Sequence, residues 1–379
     1  MDKQISAALD RVIDGVVAPA AAEVDRAGRF PAEAVQALGE AGVLGLASAT
    51  EVGGAGGGLR DAADVVQRLS SSCGSTAMVV LMHYAAVTLI EAYGPKQVRR
   101  EIADGRHLST LAFSEAGSRS HFWAPLGTAT ADGSRVRLSA RKSWVTSAGH
   151  ARSYVWSSRA MAADGPMTLW LVPSDAEGLT VSAAGFDGLG LRGNDSRPVV
   201  ADGVPVTADA MLGADGTGLD AALGVALPWF LVLSAAFSVG LMGSAVDEAA
   251  GHLVATRLAH LGQSLADQPV SRLELGRMRL QFEAARATLA QTLTAVETDA
   301  PDATAQVLGV KAICGEAAAS VSDAALRICG GAAFRRELTL ERRFRDSRAA
   351  RVMAPTSDAL ADFVARLACG LPLFDGAPA

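Results

Sequence analysis

The chain has 379 residues, of which 50% are apolar and 20% are charged, and its formal net charge is -6. This length and composition predict a large core divided among several domains, and the acidic balance excludes a general nucleic-acid binder, because phosphate neutralisation needs a basic surface. The four cysteines are widely spaced, which predicts buried free thiols in a reducing compartment and argues against a metal site.

The N-terminal stretch MDKQISAALDRVIDGV has charged residues where a signal peptide needs an apolar run. The longest apolar stretch, ALPWFLVLSAAFSVGLMGSAV, contains Pro228 near its start and is interrupted by Ser234, Ser238 and Ser244. A single segment of this kind is typical of a buried helix rather than of a membrane span. We therefore predict a cytoplasmic protein without a membrane span.

Residues 1–107 have the apolar spacing of an N-terminal helical domain. The glycine-rich run GGAGGG at 53–58 predicts a flexible connection. The stretch GSTAMVVLMH at 74–83 then predicts a buried helix. Its polar residues, His83 and Tyr84, are candidate substrate-binding residues.

Residues 108–215 change to short alternating runs such as RVRLSA, KSWVTS, SYVWSS and MTLWLV, which are typical of β-strands. Asp132-Gly133 is a hairpin signal between two such runs. This region is therefore predicted to be a compact antiparallel β domain. Helical spacing returns at 216–379, so the fold class is α+β with the order helical, β, helical.

The clearest C-terminal helix spans 303–329, between Pro301 and the glycine pair Gly330-Gly331. Its apolar residues recur at steps of three and four, which predicts one stripe that faces a partner helix. The stripe consists of Val307, Val310, Ile313, Ala317, Val321, Ala324 and Ile328. This pattern predicts a C-terminal helical bundle.

The β-domain segment LAFSEAGSRSHFW at 111–123 gathers small residues and hydroxyls at a strand end, with Ser114, Gly117, Ser118 and Ser120. Hydroxyls and free backbone N–H groups of this kind can cradle an anion such as a pyrophosphate. Taken alone, the segment also fits a polar turn.

A second β-domain segment, RKSWVTSAG, has Trp144 and Thr146 two residues apart on a predicted strand, so their side chains are expected on one face. An indole beside a hydroxyl suits a planar heteroaromatic ligand, because the ring covers the ligand and the hydroxyl bonds a ring atom. Taken alone, the two residues also fit an ordinary sheet.

Together, LAFSEAGSRS and KSWVTSAG resemble the acyl-CoA dehydrogenase flavoprotein family, whose pattern runs roughly T-E-P-x-A-G-S-D and then K-x-W-I-T-N. The stretches GVLGLASATEVGGAG, GLGLRGNDSRPVVADGVPVTADAMLG and RICGGAAFRRELTLERRFRDSR are similar to further family motifs, so the resemblance covers nearly the whole chain. It implies an N-terminal helical domain, a middle antiparallel β domain and a C-terminal four-helix bundle, assembled as a homotetramer or homodimer.

The resemblance also implies an FAD site. In the family's pattern Ser114 would contact the flavin pyrimidine edge, Ser120 the pyrophosphate, Trp144 the flavin ring and Thr146 the region near its N5. The pair Gly330-Gly331 would receive FAD from a neighbouring subunit.

Several positions depart from the family's pattern for the cofactor. Ala116 replaces a proline, and His121 replaces an aspartate. Arg257 stands where an R-x-x-F-G stretch begins, of which only Leu261-Gly262 is similar. Arg327 replaces a glutamine before the glycine pair, and an arginine there can also contact a phosphate.

The family's catalytic base is a glutamate in a Y-E-G-T element, which aligns with Met353-Ala354-Pro355-Thr356, so Ala354 replaces the base. A minority of members carry the base at a position close to Phe230, which is also no base. Asp358 is the nearest acid, although its place at a helix start also fits a capping role. Glu115, His121 and His83 are further candidates.

Three functions therefore stay open. The first function is that of an oxidoreductase with an atypical base, acting on an acyl thioester that is carried by CoA or by a carrier protein. The second is that of a monooxygenase or a carbon–sulfur-cleaving member of the family, which needs no such base. The third is that of a non-catalytic FAD-binding homologue. In the first two, the backbone N–H of Ala354 can still polarise the thioester carbonyl, and an electron acceptor or oxygen is the second partner.

Overall fold

The computed structural model describes residues 1–118, 121–335 and 338–374. The helices are α1 (Lys3–Val12), α2 (Ala18–Ala27), α3 (Ala32–Glu40), α4 (Leu59–Ser72), α5 (Gly74–Tyr93), α6 (Lys96–Ala103), α7 (Gly218–Ala221), α8 (Leu227–Ala255), α9 (Pro269–Glu297), α10 (Ala303–Cys329), α11 (Gly331–Phe334), α12 (Leu340–Ser347), α13 (Ala349–Val352) and α14 (Ser357–Ala368). The strands are β1 (Ser109–Ala112), β2 (Thr128–Asp132), β3 (Arg135–Val145), β4 (Ser153–Ser158), β5 (Thr168–Pro173), β6 (Leu179–Val181), β7 (Arg197–Thr207), β8 (Met211–Leu212), β9 (Arg257–Leu258) and β10 (Gln263–Ser264).

The chain divides into two compact units. The first unit comprises Met1–Val65, Ser75–Gly188 and Arg192–Phe230, and the second comprises Val66–Gly74, Leu189–Leu191 and Leu231–Ala379. The predicted order helical, β, helical is confirmed along the chain. The predicted boundaries at 107 and 215 stay a prediction.

The β part of the first unit consists of two four-stranded sheets, with the orders β1-β4-β5-β8 and β2-β3-β7-β6. The hairpin predicted at Asp132-Gly133 joins β2 to β3 and is confirmed. The prediction of antiparallel pairing is wrong for one pair, because β1 runs parallel to β4. Between them the chain passes through β2 and β3 of the other sheet, and a long connection of this kind permits parallel pairing.

The two sheets share one apolar core, since strand residues of both are buried in the same cluster. Its largest members are aromatic side chains of one sheet, Tyr154, Trp156 and Trp170, and they pack with β3 and β7 residues such as Leu138 and Val199 of the other. Burying such rings contributes roughly 2–3 kcal/mol each. This core is the rigid support for the strand ends that carry the candidate site.

Helix α5 is buried along most of its length, which confirms the buried helix predicted from residue 74. The glycine-rich run 53–58 is non-helical, as predicted, but hydrogen bonds tie it to the preceding loop. Gly56 N donates to Ser48 O at 2.8 Å and Gly57 N donates to Leu46 O at 2.8 Å. The run is therefore a fastened connection rather than a flexible one.

In the second unit, α10 packs against α9, α12 and α14. The start and stop signals of α10 are confirmed, because it begins after Asp302 and ends at Gly330, whose φ is 59°. The predicted stripe is wrong at Ile313, which is 52% exposed. Stripe members such as Val310 and Val321 are fully buried.

Among the described residues, two helical segments are long and apolar enough to cross a membrane, Gly74–Tyr93 and Gly218–Ala255. The most apolar window of each is 83% and 78% buried, respectively. Core helices of this burial pass the same test of length and composition. The prediction that the long apolar stretch is a buried helix is confirmed.

Candidate functional site

The segment around Ser114 lies directly beside the end of β3. Ser143 N donates to Ser114 O at 2.9 Å, and Ala116 N donates to Arg141 O at 3.1 Å. Ser114 itself is half-buried. The structure thus brings Ser114 next to the strand end that carries Trp144, while Ser120 lies outside the described residues.

Trp144 occupies an irregularity in β3. The register against β7 shifts between Lys142 and Val145, and Trp144 has a φ of 58°, a left-handed conformation that costs a non-glycine residue of order 1 kcal/mol or more. The bulge turns the indole outward, where it is 69% exposed and packs roughly perpendicular to the ring of Phe186, at 6.3 Å between ring centroids. A large apolar ring held outward at such a cost is typical of a ligand-contact residue.

Thr146 does not share the exposure of Trp144, so the expectation that the two project from one face is wrong. Thr146 is 2% exposed, and its hydroxyl lies 3.1 Å from the hydroxyl of Ser196. The physical reason is the bulge, because one extra residue in a strand reverses the alternation that follows it. Thr146 therefore approaches a ligand only through its backbone or the edge of its hydroxyl.

His83 and Tyr84 have structural surroundings rather than a substrate surface. Both are fully buried in the first unit. The Tyr84 hydroxyl donates to Val43 O at 2.6 Å, and burial raises its pKa well above the usual range. His83 accepts from Ser109 N at 3.1 Å and its other ring nitrogen lies 3.1 Å from Leu44 O, while burial lowers its pKa to about 4. A neutral, fully bonded imidazole of this kind fixes the loop before α4 rather than binding substrate.

Glu115 is committed to a buried ion pair. Its Oε1 accepts from the Lys142 ammonium at 2.6 Å, and its Oε2 accepts from the backbone N–H groups of Leu126 and Gly127 at 2.7 and 2.9 Å. The Lys142 ammonium also donates to Ser157 O at 2.7 Å, and burial lowers its pKa to about 8. Glu115 is therefore structural, and its candidacy as a base is not supported by this environment.

His121 is exposed, and its Nδ1 lies 2.9 Å from Ser118 O. Phe230, the alternative base position, is a buried apolar residue of α8. Among the residues that the structure describes, no group of histidine, cysteine and carboxylate side chains could hold a metal ion.

In the second unit, α10 ends at the candidate FAD-contact residues. Gly330 and Gly331 are exposed, and a Cβ built on either would meet nothing within 4 Å among the described residues. Arg327, in the last turn, lies 2.7 Å from Glu274 Oε1 and is 66% exposed. Arg257 is exposed in the separate β9–β10 hairpin.

Ala354 lies in a half-buried loop between α13 and α14. Its N–H makes no hydrogen bond to any residue that the structure describes. The neighbouring Pro355 supplies no N–H. The Ala354 N–H is therefore a donor available to a ligand.

Asp358 lies in the first turn of α14 and is exposed. The helix begins after Thr356, whose hydroxyl accepts from Ala359 N at 3.3 Å, so Thr356 rather than Asp358 is the capping residue. A carboxylate in a first turn interacts favourably with the helix dipole. This geometry gives Asp358 a structural explanation that needs no catalysis.

Sequence reasoning missed Lys311, a fully buried lysine of α10. Its ammonium donates to the carbonyl oxygens of Ala350, Met353 and Pro355 at 2.7, 2.9 and 2.8 Å, and burial lowers its pKa to about 7. The available signal was its position, because Lys311 directly follows Val310 within the apolar part of a predicted helix. A lysine there must find buried acceptors.

The first-unit residues fit a planar heteroaromatic cofactor. Trp144 presents an exposed ring surface, and the hydroxyl of half-buried Ser114 makes no hydrogen bond within the described residues. An aromatic face beside a free hydroxyl matches the apolar faces and polar edge of an isoalloxazine. The side chains present therefore fit a flavin.

Comparison with known proteins agrees with this fit. Models of the N-terminal, middle and C-terminal domains of acyl-CoA dehydrogenase match residues 2–105, 110–204 and 216–368. The probable acyl-CoA dehydrogenase YngJ of Bacillus subtilis is 26% identical over 353 residues, covering 90% of this chain and 91% of its own length.

Two solved structures share the fold. Butyryl-CoA dehydrogenase from Megasphaera elsdenii has a TM-score of 0.90 at 19% identity and covers 97% of this chain and 99% of its own. The prolyl acyl carrier protein oxidase AnaB has a TM-score of 0.87 at 21% identity and the same coverage. Acyl-CoA dehydrogenases are FAD-dependent oxidoreductases. With all three of its domains matched, this chain belongs to the acyl-CoA dehydrogenase family.

Proposed function

We propose that the protein binds FAD and oxidises an acyl thioester carried by CoA or by a carrier protein. The observation that carries the proposal is the bulge that exposes Trp144 beside Ser114. When bound, FAD accepts a hydride from the substrate. In this proposal Trp144 covers the flavin ring, Ser114 bonds its pyrimidine edge, and the backbone at Thr146 lies near its N5.

The other proposed contacts are with the phosphates and the distant end of FAD. Ser120, by the family resemblance, and the exposed Arg257 and Arg327 contact the phosphates of FAD, and Gly330 and Gly331 let the cofactor of a neighbouring subunit approach the backbone. Arg327 is 66% exposed and forms an ion pair with Glu274, and an exposed arginine in such a weak pair can also contact a phosphate. The arginine in place of the family's glutamine thus strengthens the phosphate contact.

The thioester carbonyl is proposed to accept the N–H of Ala354. This donor makes no hydrogen bond to the described part of the chain, and a pre-positioned donor stabilises negative charge that develops on a carbonyl oxygen. Both a CoA thioester and a carrier-protein thioester present this carbonyl. One solved relative in fold is an acyl carrier protein oxidase, which supports keeping both carriers.

The proposed reaction has an atypical base. Ala354 cannot remove an α-proton, and Asp358, one turn into the following helix, is the nearest acidic candidate for a relocated base. The alternative is a monooxygenase or carbon–sulfur-cleaving reaction on the same fold, which needs no base at Ala354. A non-catalytic FAD-binding homologue is the further alternative.

We also propose a cytoplasmic homotetramer or homodimer. Large apolar side chains are exposed along α9 and α10, at Val270, Leu273, Leu280 and Ile313, and next to the glycine pair at Phe334, which is 89% exposed. Surfaces of this kind mark subunit contacts. Light scattering of the purified protein tests the assembly.

The visible spectrum of the purified protein tests the function first. Failure to bind FAD, as purified or after adding it, would exclude both enzymatic readings. With FAD bound, anaerobic addition of acyl-CoAs and acyl carrier proteins should bleach the flavin band if the protein dehydrogenates them. Bleaching only by NAD(P)H or a reductase, followed by oxygen consumption with the thioester, would instead support the monooxygenase. If the bound flavin responds to none of these additions, the protein is a non-catalytic FAD-binding homologue.

A further inference from the structure

Lys311 makes three hydrogen bonds to one short stretch of backbone. The acceptors are the carbonyl oxygens of Ala350, Met353 and Pro355, at 2.7–2.9 Å, and the lysine is 0% exposed. An ammonium has three N–H donors, and charged donors make the stronger hydrogen bonds. We call residues 350–355 the anchored segment.

The position of the Met353 carbonyl also determines the direction of the Ala354 N–H. The two belong to one peptide group, which is planar and trans, so the C=O and N–H bonds point in opposite directions. Because the Met353 oxygen points at the Lys311 ammonium, the Ala354 N–H points away from it. The bonds to Ala350 and Pro355 restrain the chain on both sides of this peptide, so the peptide cannot rotate freely.

We propose that Lys311 is a positioning residue that orients the Ala354 N–H toward the thioester carbonyl. The lysine does not touch the substrate; it acts through the Met353–Ala354 peptide. The identity of the ligand rests on the proposed function, whereas the anchoring itself does not. The anchor sits on α10, a long helix packed on both α9 and α14, and is therefore rigidly supported.

Other features of the second unit agree with a rigid anchored segment. The α10 backbone is close to it, since a Cβ built on Gly315 would lie 3.2 Å from the Ala350 Cβ. Arg351 adds a more exposed link to α10, with its Nε 2.9 Å from Glu316 Oε1. This second link holds a side chain rather than the backbone, and exposed pairs contribute little, so Arg351 offers a matched control.

The test compares the FAD-loaded proteins Lys311→Met and Arg351→Met with the unmodified chain. Methionine keeps the length and apolar stem of lysine and removes all donors. Hydrogen exchange, followed by mass spectrometry of peptides over 349–356, should accelerate about tenfold in Lys311→Met, as expected for the loss of one charge-assisted hydrogen bond or more. In Arg351→Met the exchange rate of the same peptides should stay within about twofold of that of the unmodified chain. Unchanged exchange in Lys311→Met would overturn the anchoring, whatever the protein binds.

Ligand affinities distinguish a role of Lys311 in orienting the Ala354 N–H from a general role in keeping the loop ordered. Butyryl-CoA has a thioester carbonyl, whereas its thioether analogue S-butyl-CoA does not. Lys311→Met should weaken butyryl-CoA about fivefold or more, the effect of a misdirected hydrogen bond, and leave S-butyl-CoA nearly unchanged. An equal loss for both ligands would show a merely structural role and would overturn the proposal.

The proposed function can fail separately. If the unmodified protein binds neither ligand, the proposal that it binds acyl-CoA is wrong for these probes. The proposal that Lys311 orients the Ala354 N–H toward a thioester is then wrong as well. The hydrogen-exchange rates of peptides over 349–356 still test whether Lys311 anchors the segment. If Lys311→Met does not fold, Lys311→Gln replaces it, because an amide keeps two donors. That variant should give intermediate exchange and an intermediate loss for butyryl-CoA, and wild-type behaviour in both would overturn the proposal.

Discussion

The Lys142 ammonium and the Glu115 carboxylate lie 2.6 Å apart, with side chains that are 0% and 3% exposed. Removing one charge of such a pair leaves the other buried without its partner. We expect Glu115→Gln to lower the free energy of unfolding by ~3 kcal/mol or more, measured by urea denaturation. The double variant Glu115→Gln/Lys142→Met should recover part of this loss. A Glu115→Gln protein that keeps full stability but loses flavin reduction would instead restore Glu115 as a catalytic candidate.

Trp144 combines a left-handed backbone with an exposed ring, so its replacement should separate stability from cofactor binding. Trp144→Gly removes the strain at a φ of 58° and little buried surface. We expect unchanged or slightly higher stability without FAD, by up to ~1 kcal/mol. Affinity for FAD should fall about tenfold, because the ring contact is lost.

Trp144→Phe is the matched control for this prediction, since it keeps an aromatic face and the strain. It should retain most of the FAD affinity in a flavin fluorescence titration. If Trp144→Gly binds FAD as tightly as the unmodified chain, the indole does not cover the flavin.

Ala354 offers a gain-of-function test. If the thioester pocket is otherwise intact, Ala354→Glu should restore a base, and anaerobic butyryl-CoA should bleach the flavin at least about a hundredfold faster, within the range of general base catalysis. Ala354→Gln has the same size without the basic carboxylate and should not do so. Equal rates in the two variants would contradict placement of this residue beside the α-carbon.

Asp358 is the acid nearest to Ala354 in the sequence, but it is exposed in the first turn of α14. We expect Asp358→Asn to lower stability by only ~0.5 kcal/mol, through the helix dipole. If Asp358 serves only the helix dipole, the flavin reduction that the unmodified protein shows with its thioester should persist within about threefold. Loss of a hundredfold or more, with FAD still bound, would identify Asp358 as the relocated base.

Helix positions and their ends could be predicted from the sequence because their signals are local. Helix α10 has its start signal at Pro301 and its stop at Gly330, and it spans Ala303–Cys329. Exposure within a helix is less local. Ile313 fits the apolar stripe by spacing yet is 52% exposed, because burial depends on which helices pack on which side.

The candidate site was only partly predictable, because its geometry depends on pairing between distant segments. The bulge at Trp144 arises from the register of β3 against β7, which the RKSWVTSAG segment alone does not reveal. The acceptors that bury His83 and Tyr84 come from the loop at Val43 and Leu44. The sequence shows that His83 and Tyr84 are polar residues in an apolar helix. Their hydrogen-bond partners, which the sequence does not show, determine whether their role is structural or functional.

Lys311 makes stability depend on pH in a direction that can be stated in advance. Burial lowers its pKa from 10.5 to about 7 in the folded protein. Between these values the unfolded chain still carries the proton that the folded chain has released, so the free energy of unfolding rises with pH, by at most ~1.4 kcal/mol per pH unit from this group. Below pH 7 Lys311 is protonated in both states, so it no longer makes the free energy of unfolding depend on pH.

The comparison with Lys311→Met isolates this effect, because other shifted groups, such as Lys142, titrate in both proteins and cancel in the difference. Urea denaturation at several pH values between 7 and 10 should show a steeper rise for the unmodified chain than for Lys311→Met. Parallel curves would mean that the three carbonyl acceptors keep the ammonium charged through this range. In that case Lys311 would anchor the segment as a permanent cation, and a rise at alkaline pH would have to come from Lys142, whose folded pKa is about 8.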